Sequence, residues 1–471
     1  MKLLPVTLVL LLAACAGAPV LQRPTPLGVA PAWHVPEGFK LAQPGTARLP
    51  PDWWRAYGDA LLDELEQAVA PANQTLAQAD AQYRQALAAV GTARASLYPG
   101  ATLNAGAARS QQPILTNGGG LAASQPASNL YTLTGQVSWE PDLWGAIHAN
   151  VSSAEASAEA SLDARDAMLL SLQAQLAVDY FQLRTSDASI QLLDATAASY
   201  RRSLDITRVR QQGGVATRAD VTQADTQLQG VLAQLADARI TRATLEHAIA
   251  ILLGRSPSEF SIAALAWQAP AWPALPIALP STLLERRPDI ANAERQVDAA
   301  AAKLVTTRAA FFPVLNLNAS TGFESRSLAN WLSLPKSFWS IGPQLTQYLF
   351  DAGAHVDAEN QAVAVVDQAT ANYREVVLES FQAVEDNLAT LQWLDEEQQR
   401  QQAAAASAGI TLDIVTRQYQ AGTVDYLNVI TAEAALLSSQ SAVIALEGRR
   451  AAAHVQLIKA LGGGWQLAEK P

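Results

Sequence analysis

The fold of this chain is decided by the stretch SLQAQLAVDYFQLRTSDASIQLLDATAASYRRSLDITRVRQQ, residues 171–212. It completes a run that begins after Gly145 and contains neither glycine nor proline up to Gln212, with many residues that favour helices. At 1.5 Å per residue this run predicts a helix about 100 Å long, whereas globular helices average about 11–12 residues. Leucines at positions 169, 172, 176 and 183 have the spacings of a narrow coiled-coil seam. The run therefore predicts a long rod rather than an ordinary core helix.

A second helical run pairs with the first to make a long hairpin. Adjacent glycines end the first run at Gly214, and Val215–Leu253 forms the return helix. The same pattern recurs later, with a rod over His355–Gln420 and a return helix over Thr423–Leu461. The sequence thus predicts two long helical hairpins.

The two hairpins belong to a duplicated unit. A shift of 208 residues superposes Gly214 on Gly422, and a shift of 214 residues superposes Arg94 on Arg308, ahead of the hairpins. The offsets differ because the connecting segments differ in length. The chain is therefore one unit of about 200 residues present twice, and it is not a row of unrelated domains.

Each repeat also contains two segments in which apolar and polar residues alternate. The clearest is Leu130–Glu140, where Tyr131 and Val137 face one way and Thr132 and Gln136 the other. Strands of about ten residues with one apolar face are typical of transmembrane β-barrels, and aromatic residues gather near their ends. A soluble antiparallel sheet packed on one face gives the same alternation. The predicted strands cover about residues 101–112, 130–140, 313–324 and 338–349.

The number of predicted strands has a consequence for assembly. Four strands cannot close a barrel, since transmembrane barrels begin at eight strands, and an open edge is not tolerated in lipid. Two copies would give eight strands, whose interior side chains fill, and three would give twelve with room for a channel. The sequence therefore predicts an oligomer.

The N-terminus reads as an export signal. A basic start is followed by an apolar run, Leu3–Leu12, that is too short to span a bilayer. The string Leu-Ala-Ala-Cys that ends at Cys15 resembles the bacterial lipobox, which predicts a covalent diacylglycerol and acyl chain on Cys15. Ala16 favours outer-membrane sorting by the same resemblance. The alternative is a plain secretory signal in which Cys15 is incidental.

Composition excludes several classes of function. The formal net charge of -11 argues against nucleic acid as a partner and suits a solvated surface or a lumen that favours cations. A single cysteine excludes an intrachain disulfide. The five histidines are scattered without metal-ligand spacing, and no catalytic signature is visible. We therefore predict neither an enzyme nor a cofactor or metal site.

The predicted organisation follows the repeats and the prolines. It comprises a signal peptide (1–14), an extended N-terminal segment (15–58), a first repeat (59–254) with its hairpin at 145–254, a proline-rich crossover (255–287), a second repeat (288–462) with its hairpin at 353–462, and a C-terminal tail (463–471).

These features together resemble the bacterial outer membrane efflux proteins, the TolC-like family, in the lipoprotein branch that serves resistance-nodulation-division systems. The matching residues are the Cys15 lipobox, Trp53-Trp54, Leu284–Ile290 with Glu294, Phe312-Pro313, Leu349–Gly353 and the two hairpin tips. The resemblance covers essentially the whole chain. It implies a mainly α fold with a small β part, in which three copies form a twelve-stranded transmembrane β-barrel, a twelve-helix periplasmic α-barrel and a mixed equatorial region.

The resemblance also implies a function and its partners. A homotrimer in the outer membrane would act as a passive conduit that exports small molecules such as drugs or toxic metabolites. It would work with a periplasmic adaptor (membrane fusion) protein and an inner-membrane resistance-nodulation-division transporter. Two alternatives remain open: a conduit for type I protein secretion, and a coiled-coil periplasmic scaffold without a pore.

The same resemblance assigns roles to residues at the hairpin tips. It implies that Asp425 forms a ring of carboxylates at a periplasmic gate and that Arg417 and Tyr419 make interhelical contacts that hold the closed state. The alternative is that these three are solvated surface residues. The alternative role of the tip residues is to turn the chain, and both roles can hold at once. The residues implied to contact the adaptor are Gly214, Val215, Ala216, Thr217, Gly422 and Thr423.

Overall fold

The computed structural model describes residues 50–111, 126–265, 272–273 and 286–465. The predicted signal peptide, Cys15 and most of the predicted crossover and C-terminal tail lie outside these residues. The helices are α1 (Ala60–Ala72), α2 (Gln74–Ala95), α3 (Ala146–Gln212), α4 (Arg218–Leu252), α5 (Pro288–Ala309), α6 (Ala354–Gln420) and α7 (Tyr426–Ala460). The strands are β1 (Gly100–Ser110), β2 (Ser128–Trp139), β3 (Val314–Ser325) and β4 (Ser337–Thr346).

The two hairpins have matching dimensions. Helices α3 and α6 each contain 67 residues, and their return helices α4 and α7 each contain 35. This identity of lengths confirms the duplication of long helical hairpins. The helices end where the sequence predicts, because a glycine with positive φ follows each of them closely: Gly214, Gly254, Gly422 and Gly462.

The four strands form one antiparallel sheet in the order β1-β2-β3-β4. Its register pairs Leu133 with Phe323 and Ala319 with Ile341, so the apolar residues share one face. Pro343 of β4 lies opposite Leu317 of β3. Strand β4 ends at Thr346, before the predicted end near 349, and the Gln347 side chain donates to the Phe311 carbonyl (3.2 Å) where the chain leaves the sheet.

The described chain forms two compact units. One contains the sheet within residues 90–111, 126–156 and 296–374, and the other contains residues 50–89, 157–265, 272–273, 286–295 and 375–465. Two clusters of buried apolar residues lie in the second unit. The first surrounds Leu183, Leu388 and Leu457, and the second surrounds Leu204 and Leu228.

The apolar face of the sheet is exposed in this chain. No strand residue belongs to either group of buried side chains in the described part of the chain. The apolar face is open instead, with Leu103 73%, Trp339 77% and Ile341 74% exposed. A soluble sheet would cover this face with its own core. The exposure therefore favours the membrane-spanning interpretation of the strand pattern over a soluble sheet.

Helix α7 has an unusually apolar composition. Among the described helices it alone is long and apolar enough to cross a membrane by composition, with a window of mean hydropathy 1.5. Its buried residues are divided between the two clusters, with Val429 and Ile430 in the second and Leu457 and Ile458 in the first. Within the described chain, 28% of that apolar window is buried.

Candidate gate and docking site at the hairpin tips

Both tips are tight turns built on a glycine. Gly214 has a φ of 74° and Gly422 a φ of 78°, a region that glycine enters without steric cost. Directly after Gly214, the Val215 N–H donates to the Arg210 carbonyl (2.9 Å). This bond gives a carbonyl in the last turn of α3 a hydrogen-bond partner. The Thr423 N–H makes the equivalent bond to the Gln418 carbonyl (3.0 Å) at the end of α6. The predicted adaptor-contact residues thus lie in two similar turns, and all are exposed except the half-buried Ala216.

The two return helices begin differently. Thr217 caps α4 in a reciprocal box: its hydroxyl accepts from the Asp220 N–H (3.2 Å), and the Asp220 carboxylate accepts from the Thr217 N–H (2.7 Å). Asp425 holds the equivalent position at the start of α7, but its side chain makes no capping bond. Its exposed carboxylate is therefore without a partner among the described residues and is available to a group outside the chain.

Arg417 contacts its own helix. Its guanidinium pairs with Asp413 one turn earlier on α6 (2.6 Å), and its side chain is largely exposed. Within the described chain, the contact implied for Arg417 with another helix is not formed.

Tyr419 makes contacts between helices within one chain. Its ring lies 5.3 Å from the ring of Tyr426 on α7, and the guanidinium of Arg210 on α3 stacks 4.4 Å from the ring centroid. Arg210 also donates to the Tyr419 carbonyl (3.3 Å). These contacts join the end of the first rod to the end of the second. Arg210 was not predicted from sequence, and its only local signal is a cation in the last turn of a helix.

A buried carboxyl lies beside this junction. Glu433 of α7 is 8% exposed and accepts a hydrogen bond from the Ser203 hydroxyl on α3 (3.3 Å). Tyr200 and Tyr426 are its other titratable neighbours, and no cation faces it among the described residues. Burial without a compensating charge raises the pKa of Glu433 to about 7. Glu433 was not predicted from sequence either, because its burial depends on a helix far away in the chain.

Charged residues of the first hairpin hold the described part of the crossover. On the first hairpin Arg242 pairs with the buried Asp187 (2.6 Å) and donates to the Ile262 carbonyl (2.6 Å). Arg184 donates to the neighbouring Ala263 carbonyl (3.0 Å). A charged clamp therefore fixes the start of the crossover.

The second hairpin holds the crossover with aromatic contacts. Arg450, a shift of 208 residues from Arg242, stacks 5.3 Å from the ring of Trp272. His454 Nε2 donates to the Pro273 carbonyl (3.1 Å), which requires Nδ1 to accept from the Tyr57 hydroxyl (2.7 Å). Burial lowers the pKa of His454 to about 4, so the imidazole is neutral at physiological pH. Arg242 and Arg450, at equivalent positions of the two repeats, thus hold the crossover differently. Arg242 uses a hydrogen bond and Arg450 a cation–π contact.

Known proteins resemble this chain over most of its length. The model of the family described as "Outer membrane efflux protein" matches residues 65–255 and 279–463. The pyoverdine export outer membrane protein OpmQ of Pseudomonas aeruginosa is 31% identical over 88% of this chain and 87% of its own length. The toluene efflux pump outer membrane protein TtgC of Pseudomonas putida is 28% identical over 97% and 94%, and the cation efflux system protein CusC of Escherichia coli is 28% identical over 99% and 99%.

Solved structures share the fold. The outer-membrane channel OprN matches with a TM-score of 0.85 and 26% identity, over 96% of this chain and 100% of that chain. The open state of the MtrE outer membrane channel of Neisseria gonorrhoeae matches with a TM-score of 0.77 and 25% identity, over 94% and 98%.

Proposed function

This chain belongs to the outer membrane efflux protein family, and from that membership we propose how it assembles, where it is anchored and how it is gated. Members of the family are outer-membrane channels of tripartite efflux pumps, and that is the function of this chain. The single observation in the structure that carries it is the sheet, which exposes an apolar face and two unpaired edges at once. Such a sheet is suited to lipid only as part of a closed barrel.

The assembly is a homotrimer of twelve strands. Its support is that each chain supplies four strands and that three chains give a barrel wide enough for a channel. We expect a particle of about three times the mature mass in mild detergent, with steady single-channel conductance in planar bilayers. A stable monomer with full β content, or a trimer without conductance, would contradict the proposal.

The partners are a periplasmic adaptor at the hairpin tips and an inner-membrane resistance-nodulation-division transporter. The support is the exposure of both tips and the resemblance of this sequence to the branch that serves such transporters. The exported class is small organic molecules, as the relatives named for pyoverdine and toluene indicate, although another relative is named for cations. Those names favour efflux of small solutes over protein secretion.

The membrane anchor is a lipid on Cys15. The support for it is the lipobox sequence that ends at this cysteine. Cys15→Ala should abolish metabolic labelling with palmitate and leave a precursor or a differently processed form. Channel insertion should partly survive, because strands rather than acyl chains span the membrane. Labelling that persists in the variant would show that Cys15 is not the lipidated residue.

The gate is a ring of three Asp425 carboxylates near the threefold axis, with Arg417 and Tyr419 holding the closed state. The free Asp425 carboxylate supports this role. A carboxylate that capped α7 would point back at the N–H groups of its own helix instead of toward neighbouring copies. Arg417 serves between copies, and Tyr419 serves within the chain by stacking under Arg210. A ring of like charges favours cations and is held together by surrounding contacts.

Removal of the ring charge should alter permeation. Asp425→Ala should reduce cation selectivity and change the resting conductance of the purified channel in planar bilayers. The matched control is Thr217→Ala at the equivalent position of the first hairpin, which loses a helix cap but no charge. If Thr217→Ala changed the selectivity and Asp425→Ala behaved like the wild-type channel, the first hairpin rather than the second would form the gate.

A further inference from the structure

The rim of the sheet that lies away from the helices carries features that the channel function does not use. Strands β1 and β3 end there at Ser110 and Ser325, and β2 and β4 begin there at Ser128 and Ser337. The opposite ends of all four strands lead to the helices, which lie in the periplasm in this family. This rim therefore faces the outside of the cell.

The connection between β3 and β4 contacts the membrane-facing side of the rim. Tyr131 pairs with Ser325 and shares its face with Leu133 and the other apolar side chains of the sheet. The ring of Trp331, in the connection, lies 6.2 Å from the Tyr131 ring. Beside it three leucines, at 328, 332 and 334, are strongly exposed. The connection thus extends the apolar surface of the barrel instead of covering it.

Three basic residues lie along the same rim of the sheet. Arg109 lies two residues beyond the Tyr131 pair on the same face of the sheet, and Arg326 and Lys336 bound the connection. All three are exposed, and none forms an ion pair within the part of the chain that the structure describes. Residues 326–336 contain no acid, and Glu324 lies on the opposite face, where it pairs with Thr132. A local excess of positive charge in a chain of net charge -11 calls for an anionic partner.

We propose that this rim binds the phosphorylated glycolipid of the outer leaflet, lipopolysaccharide, and the proposal rests on the outer-membrane channel function. Arg109, Arg326 and Lys336 bind its phosphate groups, since guanidinium and ammonium groups form short charge-assisted bonds to phosphate. The Tyr131–Trp331 pair and the leucines pack against its acyl chains at the depth where aromatic girdles lie. Long basic side chains reach the headgroup level from an apolar surface.

The test compares lipids and charges on the whole purified protein. Binding of lipid A, of lipid A without its phosphates and of phosphatidylglycerol is measured in detergent by native mass spectrometry. Wild type should prefer phosphorylated lipid A over both others. The triple variant Arg109→Gln, Arg326→Gln, Lys336→Gln should bind it about tenfold more weakly or worse. The control triple Arg201→Gln, Arg202→Gln, Arg218→Gln removes three exposed charges near the hairpin tips and should leave binding unchanged.

Each other outcome contradicts the proposal. Equal binding of lipid A with and without phosphates would exclude phosphate recognition, and equal binding of phosphatidylglycerol would mean that the rim recognises any anionic lipid. Single-channel conductance is measured in parallel on all variants. Wild-type conductance in the rim variant shows that the channel is intact. Absence of conductance in wild type itself would overturn the channel function rather than the lipid site.

Discussion

Gly254→Ala should destabilise the protein strongly, although it adds only one methyl group. Gly254 has a φ of 62° and lies against the backbone carbonyl of Ala72, which a Cβ atom would overlap. Backbone strain and the displaced carbonyl should together cost about 2–5 kcal/mol. We expect a clear fall in the temperature at which the detergent-solubilised protein loses its helical circular dichroism.

The repeat supplies a second copy of this contact, and α4 supplies a control. Gly462, with a φ of 94°, lies in the same way against the carbonyl of Arg286, so Gly462→Ala should behave similarly. Gly230 is exposed in the interior of α4 with open space around it, and Gly230→Ala should be neutral or stabilise by up to about 1 kcal/mol. Equal effects of the Gly254 and Gly230 changes would show that the close approach to Ala72 is unimportant.

These glycines explain why so much of the fold could be predicted. A run without glycine or proline forms a helix on local grounds, and a glycine that adopts positive φ ends it, so the hairpins were readable from sequence. The alternation of the strands was equally local, and the register Leu133–Phe323 keeps the predicted apolar face intact. Both patterns depend on neighbours only a few residues apart.

The candidate gate was less predictable because its contacts join distant residues. Arg210 and Tyr419 are 209 positions apart, and Ser203 and Glu433 are 230 apart. No periodicity indicates which polar residue of a helix faces such a partner. Residue type also does not predict which N-cap side chain bonds to its helix. Thr217 and Asp425 are both favoured N-cap types, yet of the two only Thr217 caps its helix. The free carboxylate of Asp425 became visible only in the structure.

Glu433→Gln should remove a pH dependence from the packing of the two hairpins. The folded chain holds this carboxyl at a pKa of about 7, above the ordinary value of 4.5. Below about pH 4.5 the group is protonated whether folded or unfolded, so it imposes no penalty. As pH rises toward 7 only the unfolded form ionises, and stability falls by about 3 kcal/mol before levelling off. Wild type should therefore unfold more readily at pH 8 than at pH 5.

Glu433→Gln removes the ionisable carboxyl and keeps the size of the side chain. Its amide can still accept from the Ser203 hydroxyl and fills nearly the same volume, so its stability at pH 5 should match wild type, whereas at pH 8 it should be higher. Thermal unfolding in detergent across this range measures the difference, and Glu379→Gln, at an exposed position of α6, should keep the wild-type profile. Parallel pH profiles for wild type and Glu433→Gln would mean that Glu433 ionises freely in the folded protein. A divergence would place a titrating group between α3 and α7, at the contact that joins the first hairpin to the second.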